Sequence, residues 1–395
     1  MLVRKYIAST IGFASRRAAL TPKRWLLLVS ALIPLALIAL LAAVRLLPGS
    51  PLYHAIRSRA AYLGLGWCYP VLPPRVRYNF SQPEAWEGDA LFWENFPCAR
   101  SEYRVWAPEG AAAPLPTGGA TNLIVTAFFD IGREHWPYYA RSNEEYMANI
   151  KNTLSLRNPM VFFTTPDKAE GVVEARRKAG LMDRTMVVAH DLHCASQAWM
   201  LPGVLDSMCS ASTIARMWAF NPNLEAPERQ EPWYNLIMWM KAGVVRAAAA
   251  LPHPALAAQW VTWLDAGCHT PACDAAWIRG IYFSPARWAR ADRVRISHMD
   301  EESDALARMT PAEWTREHRV LFMGTVFGMT RARARFLMDA FLDTAQWMLV
   351  RGVVDTDQTI FAWMWRANPE YFDVYPSYGD YQSKLGTSVR AFAGL

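Results

Sequence analysis

Charge is what this sequence has least of: 19% of its 395 residues are Asp, Glu, Lys or Arg, against 52% hydrophobic. That balance excludes a solvated, disordered chain and allows one large or two fused domains with a substantial core. Acid is missing altogether from the first 47 residues, which carry seven Lys or Arg. The other 34 basic side chains face 35 acidic ones, so the formal +6 belongs to the N-terminus and the rest is near neutral. Net charge therefore makes no case for a nucleic acid partner. No internal repeat is evident. The six cysteines, at 68, 98, 194, 209, 268 and 273, include no C-x-x-C pair, which argues against a zinc site. Their even number allows up to three disulfides in an oxidising compartment, with Cys268 and Cys273 closing the shortest loop.

What is present begins with an apolar run over residues 25–44, interrupted only by Ser30 and Pro34. At about 1.5 Å per residue it spans roughly 30 Å, the thickness of a bilayer's hydrocarbon. A cleaved signal peptide would want a shorter core and a small-residue cleavage site, and Arg45-Leu46-Leu47-Pro48 is a poor one. Arg4, Lys5, Arg16, Arg17, Lys23 and Arg24 precede the run, which keeps the N-terminus cytoplasmic. The expected organisation is a basic tail over 1–24, a membrane anchor over 25–47, a stem over 48–119 that wraps onto the domain, and a catalytic domain over 120–395. The chain would then be a single-pass type II protein of a secretory-pathway membrane, in the Golgi, with its domain in the lumen. Asn79-Phe80-Ser81 is a glycosylation sequon on that side.

The stretch 123–129 is apolar, β-branched and aromatic, the pattern of a strand buried on both faces, and it ends in Asp130-Ile131-Gly132-Arg133. Ser142 with Glu145 makes a capping box that starts a helix. A second strand follows at 160–164, then a helix capped around Asp167 and closed by Gly180, then a third strand at 185–189. This alternation predicts an α/β fold with a mostly parallel central sheet, whose ligands sit beyond the carboxyl ends of the strands. Residues 233–250 read as helix and 260–265 as a strand ending on Asp265 and Gly267. Residues 277–283 and 318–323 read as further strands. Thr310-Pro311-Ala312-Glu313 starts a helix, Thr330 caps another that ends at Gly352, and a last helix begins within Asp355-Thr356-Asp357-Gln358.

Several groups carry candidate chemistry, each with a structural alternative. Asp265 is either a ligand for a divalent cation holding a diphosphate or the cap of a turn. Asp355 and Asp357 are either a base for an acceptor hydroxyl or ordinary helix caps. His190 and His193 would face one way on an extended segment, as metal ligands of a hydrolase or as loop polarity. Arg287, Arg290, Arg293 and Arg295 around Trp288 are either an anion site or a solvated face. The 18 tryptophans sit mostly at core spacing and read as packing.

Leu123 to Glu134 followed by Arg141-Ser142-Asn143-Glu144-Glu145-Tyr146 resembles the opening signature of the HtrL/YibB (WlaTC/HtrL) family. Trp263-Leu264-Asp265-Ala266-Gly267 is similar to that family's W-I-D-x-G, and Asp357-Gln358 near Asn368-Pro369-Glu370-Tyr371-Phe372 extends the likeness to about residue 380. The family is similar to GT-A-type glycosyltransferases and is associated with lipopolysaccharide-type glycan synthesis. The resemblance implies a GT-A-like nucleotide-diphospho-sugar transferase fold and a nucleotide-sugar donor bound around Asp130, Arg133, Asp265 and Gly267. It implies Mn²⁺ or Mg²⁺ on Asp265 and Asp357 near a glycan, glycoprotein or glycolipid acceptor; with the local reading of the helix start, Asp357 and Asp355 are the expected catalytic carboxylates. Gly267 stands where the second acid of a D-x-D motif would be. The rival expectations are a lumenal glycan-binding scaffold without catalysis and a metal-dependent hydrolase.

Overall fold

The computed structural model describes residues 103–110, 121–136, 140–190, 232–267, 281–284, 290, 292–299, 303–317 and 319–376. The anchor, the sequon, all six cysteines, His193, Arg287 and Trp288 lie outside the described residues. Among the described residues no helix is long and apolar enough to cross a membrane.

The described residues form a mixed α/β fold around an eight-stranded sheet of order β1-β4-β3-β2-β5-β7-β6-β8. The strands are β1 (Tyr103–Trp106), β2 (Asn122–Phe128), β3 (Met160–Thr164), β4 (Thr185–His190), β5 (Trp260–Leu264), β6 (Val294–His298), β7 (Phe322–Thr330) and β8 (Phe372–Pro376). Four neighbours, β4, β3, β2 and β5, run parallel, as their continuous apolar character predicts. Beyond β5 the sheet turns over: β7 pairs antiparallel with β5, β6 antiparallel with β7, and β8 parallel with β6. The expectation of a mostly parallel sheet holds for one half of the molecule. Edge strand β1, within the segment read as a wrapping stem, pairs antiparallel with β4.

Helices cover both faces. On one lie α1 (Asn143–Leu154) and α2 (Pro166–Lys178), against Ile124, Phe162, Val187 and Leu264. On the other lie α3 (Pro232–Ala249), α6 (Arg331–Val350) and α7 (Asp357–Ala367), against Leu123, Val125, Val161 and Trp263. The short α4 (Ser303–Arg308) and α5 (Pro311–Arg316) precede β7. Trp239, Trp314, Trp347 and Trp363 are fully buried side chains of this packing.

The local signals act as sequence chemistry requires, with four corrections. Ser142 and Glu145 close the capping box of α1, and Thr310 and Glu313 that of α5. Helix α2 starts earlier than Asp167: Thr165 is its cap and Pro166 its first residue, where a missing N–H costs nothing. Strand β7 runs through Thr330, well past the predicted 318–323, and the described part of 277–283 is not a strand. Strand β6 forms among arginines that the sequence reads as an anion site or a solvated face, because Val294 and Ile296 turn inward while Arg295 stays partly exposed.

Candidate functional site

Strands β2 and β5 are parallel neighbours, so Asp130 and Asp265, one or two residues past their ends, arrive at the same edge of the sheet. Asp265 is fixed from three directions. Its backbone N–H donates to Thr325 O (2.9 Å), the Trp263 indole N–H donates to its Oδ1 (2.7 Å), and Lys241 Nζ lies 3.0 Å from the same oxygen. Its side chain keeps 31% of its surface exposed, which leaves the second oxygen for solvent or a ligand.

Lys241 projects from the middle of α3 and is 2% exposed. Its ammonium meets Asp265 Oδ1, Asp357 Oδ2 at 2.9 Å, and the Gly324 carbonyl at 3.1 Å. The Asp357 contact is an ion pair without hydrogen-bond alignment. Burial pulls the ammonium down, but the two carboxylates outweigh it and hold Lys241 above the ordinary lysine value. Burial also pushes the Asp265 carboxyl up; Lys241 and the indole oppose this while Asp357 adds to it, and the balance stays raised.

The sheet is deformed to make this contact. Ile296 pairs with Phe327 and Ser297 with Met323, so Gly324, Thr325 and Val326 of β7 have no counterpart on β6. This bulge frees the Gly324 carbonyl for Lys241, while the Thr325 carbonyl, on the β5 side, continues the β5–β7 register to the Asp265 N–H. Glycine is required there, since a Cβ at 324 would lie 2.0 Å from Asp357 Oδ2.

Asp357 is the first residue of α7 and 2% exposed. Asp355, two residues earlier, is committed elsewhere: its carboxylate accepts from Thr315 Oγ1 (2.7 Å), Thr359 Oγ1 (2.9 Å) and the Thr356 N–H (2.8 Å). Its carbonyl accepts from the Trp239 indole (2.7 Å). The structure thus brings Asp265 and Asp357 together through Lys241 and uses Asp355 to anchor the helix start.

The other half of the edge is cationic and aromatic. Asp130 Oδ1 accepts the Gly132 N–H (2.9 Å) in a tight turn, and its Oδ2 lies 3.5 Å from Lys168 Nζ. Arg133 donates to the Tyr146 hydroxyl (2.6 Å), and its guanidinium lies 5.4 to 5.9 Å from the ring centres of Trp136, Tyr146 and Tyr234. Tyr146 ties the halves together: a Cβ on Gly267 would come within 3.3 Å of its ring.

Sequence reasoning missed Lys241, whose signal is a lone charge in the apolar run 233–245, and the aromatic set around Arg133. His190 closes β4 fully buried, its ring stacked at 5.4 Å on Phe129 and near Phe163. Arg293 and Arg295 flank the start of β6, with Arg295 Nη1 3.7 Å from Asp373. Among the described residues no three His, Cys, Asp or Glu side chains gather as a metal cluster.

A family model described as "Bacterial protein of unknown function (HtrL_YibB)" matches residues 120–391, spanning every site residue named above. The chain belongs to the HtrL/YibB family. Protein HtrL of Escherichia coli (strain K12) is 23% identical over 264 residues, covering 65% of this chain and 87% of that protein. Among solved structures, the apo crystal structure of mouse xyloside xylosyltransferase 1 aligns with a TM-score of 0.34 at 10% identity, covering 64% of this chain and 85% of the other. In this HtrL/YibB-family chain the matched W-L-D-A-G stretch is the one that carries Asp265.

Proposed function

We propose that this protein is a nucleotide-sugar-dependent glycosyltransferase with a GT-A-like domain, acting on a glycan, glycoprotein or glycolipid acceptor. The observation that carries the reading is the convergence, beyond the carboxyl ends of β2 and β5, of a partly exposed carboxylate with a guanidinium set among aromatic rings. Ligands of parallel α/β sheets sit at such edges. Arg133 would pair with the diphosphate, a planar fork against phosphate oxygens, and its rings would pack the nucleoside. Asp265 would accept a hydroxyl proton through its open oxygen.

In the transfer, the bond from the anomeric carbon to the diphosphate oxygen breaks and one to the acceptor oxygen forms. The nucleoside diphosphate leaves with the electron pair, and the acceptor's proton passes to a carboxylate or to water. Asp265 is the open carboxylate; Asp357, closed behind Lys241 and Gly324, acts by holding Lys241. In the same reading, residues 25–47 anchor the domain on the extracytoplasmic face of a secretory-pathway membrane.

The test is a thermal-shift and donor-hydrolysis screen of the full-length chain in detergent against nucleotide sugars. Stabilisation by one class of donor is expected, with Asp265→Asn lowering turnover by about a hundredfold or more, the usual effect of losing a general base. Turnover unchanged in Asp265→Asn would refute the assignment. Glycan affinity without nucleotide affinity would favour the non-catalytic scaffold.

A further inference from the structure

The GT-A likeness implies a divalent cation on Asp265, and the donor set does not fit one. A Mg²⁺ or Mn²⁺ ion needs several oxygen ligands at about 2.1 Å in near-octahedral array. Here Asp265 Oδ1 is shared by an indole N–H and an ammonium, and Asp357 Oδ2 faces the same ammonium. The Gly324 carbonyl also accepts from Lys241, which leaves Asp265 Oδ2 as a single open carboxylate oxygen where a two-acid metal site would offer two. The bulge that offers the Gly324 carbonyl and the glycine that admits Asp357 are both shaped around Nζ.

We infer that Lys241 is the resident cation of this site, filling the place between Asp265 and Asp357 that a divalent ion would take, so that the site works without Mn²⁺ or Mg²⁺. The ammonium donates to the Gly324 carbonyl and lies within ion-pair distance of both carboxylates, at 3.0 and 2.9 Å, so it already occupies the space between them. Charge makes the same point. Two carboxylates with one ammonium sum to a single negative charge, so this trio cannot itself attract a diphosphate. The countercharge must come from Arg133, across Tyr146 from Gly267. The identity of the anion rests on the glycosyltransferase reading; the exclusion of the metal does not.

The experiment is a titration of EDTA-stripped full-length protein with Mn²⁺, read by the electron paramagnetic resonance of the free ion. Wild type should take up no ion dependent on Asp265. Lys241→Met, which uncovers two facing carboxylates, should gain one bound Mn²⁺ per chain, and adding Asp357→Asn should remove it. Uptake by wild type that vanishes in Asp265→Asn would overturn the inference, whereas uptake that survives it places the ion elsewhere and supports it. If Lys241→Met does not fold, the wild-type and Asp265→Asn titrations decide alone. Nucleoside diphosphate binding, followed by thermal shift, should be the same in EDTA and in Mn²⁺ and should fall at least tenfold in Arg133→Ala. Binding seen only with Mn²⁺, and lost in Asp265→Asn, would again overturn it. No nucleoside diphosphate binding in any condition would sink the glycosyltransferase reading and leave the Mn²⁺ titration to judge Lys241.

Discussion

Arg176 and Lys241 are buried on opposite faces of the sheet, and they are accommodated in opposite ways. Arg176 of α2, fully buried, spends its guanidinium on neutral acceptors: the carbonyls of Leu154 (2.9 Å), Leu156 (2.6 Å) and Asn158 (3.1 Å) and the Thr185 hydroxyl (2.7 Å). Burial pulls it down to about 9. Lys241 on the other face is surrounded by carboxylates and held above its ordinary value. A cation among carbonyls clamps a loop, here the turn between α1 and β3. A cation between carboxylates sets the charge of a crevice. Burial alone does not tell the two apart, but the partners do.

The comparison can be broken most forcefully at Lys241. Lys241→Met strands two carboxylates and should cost about 3–5 kcal/mol at neutral pH, the usual penalty for removing one partner of a buried pair. Because the Asp265 carboxyl is already raised, that loss should shrink in acid as it takes up a proton, which urea denaturation at two pH values would measure. Arg176→Met should cost roughly 2–4 kcal/mol, as several buried acceptors lose their donor, with the same penalty at both pH values and nucleotide binding intact. Equal pH dependence in the two variants would erase the distinction.

Alkaline titration sharpens it further. A raised lysine contributes stability that is complete below the unfolded value of 10.5 and lost as pH rises through the folded one. Wild type should therefore weaken above pH 10.5 more steeply than Lys241→Met. A smaller effect is expected from Gly324→Ala, whose methyl must push the Asp357 carboxylate aside at about 1–3 kcal/mol and should weaken turnover with the chain still folded. The smallest is Ser142→Ala, loss of one exposed cap at about 1 kcal/mol, read by thermal melting with no change in ligand affinity.

Much of this was legible in the chain itself. The parallel half of the sheet follows from runs of apolar residues punctuated by caps, and Asp265 from an acid and a glycine at a strand end. Strand β6 places Val294 and Ile296 inward at period two, but its arginines draw the reading to an anion site or a solvated face rather than to a strand. The coupling of Lys241 to Asp357 was out of reach, because it joins two helices far apart in sequence through a bulge with no local signature. Asp355 and Asp357 look alike in sequence. They part only because three hydroxyl and amide donors gather around the first and an ammonium meets the second.

The bulge in β7 has a bearing on how the molecule responds to selection. At Gly324, Thr325 and Val326 the strand gives up regular pairing with β6, and it carries a glycine where a β-branched residue would favour the strand. Exchange of that glycine alone is destabilising, so a library ranked on thermal tolerance would gain there only by replacing Asp357 in the same clone, which lets the strand straighten and recover ladder hydrogen bonds. Each such gain would withdraw the Gly324 carbonyl and a carboxylate from Lys241, so melting temperature and turnover should trade against each other there more sharply than elsewhere in the sheet.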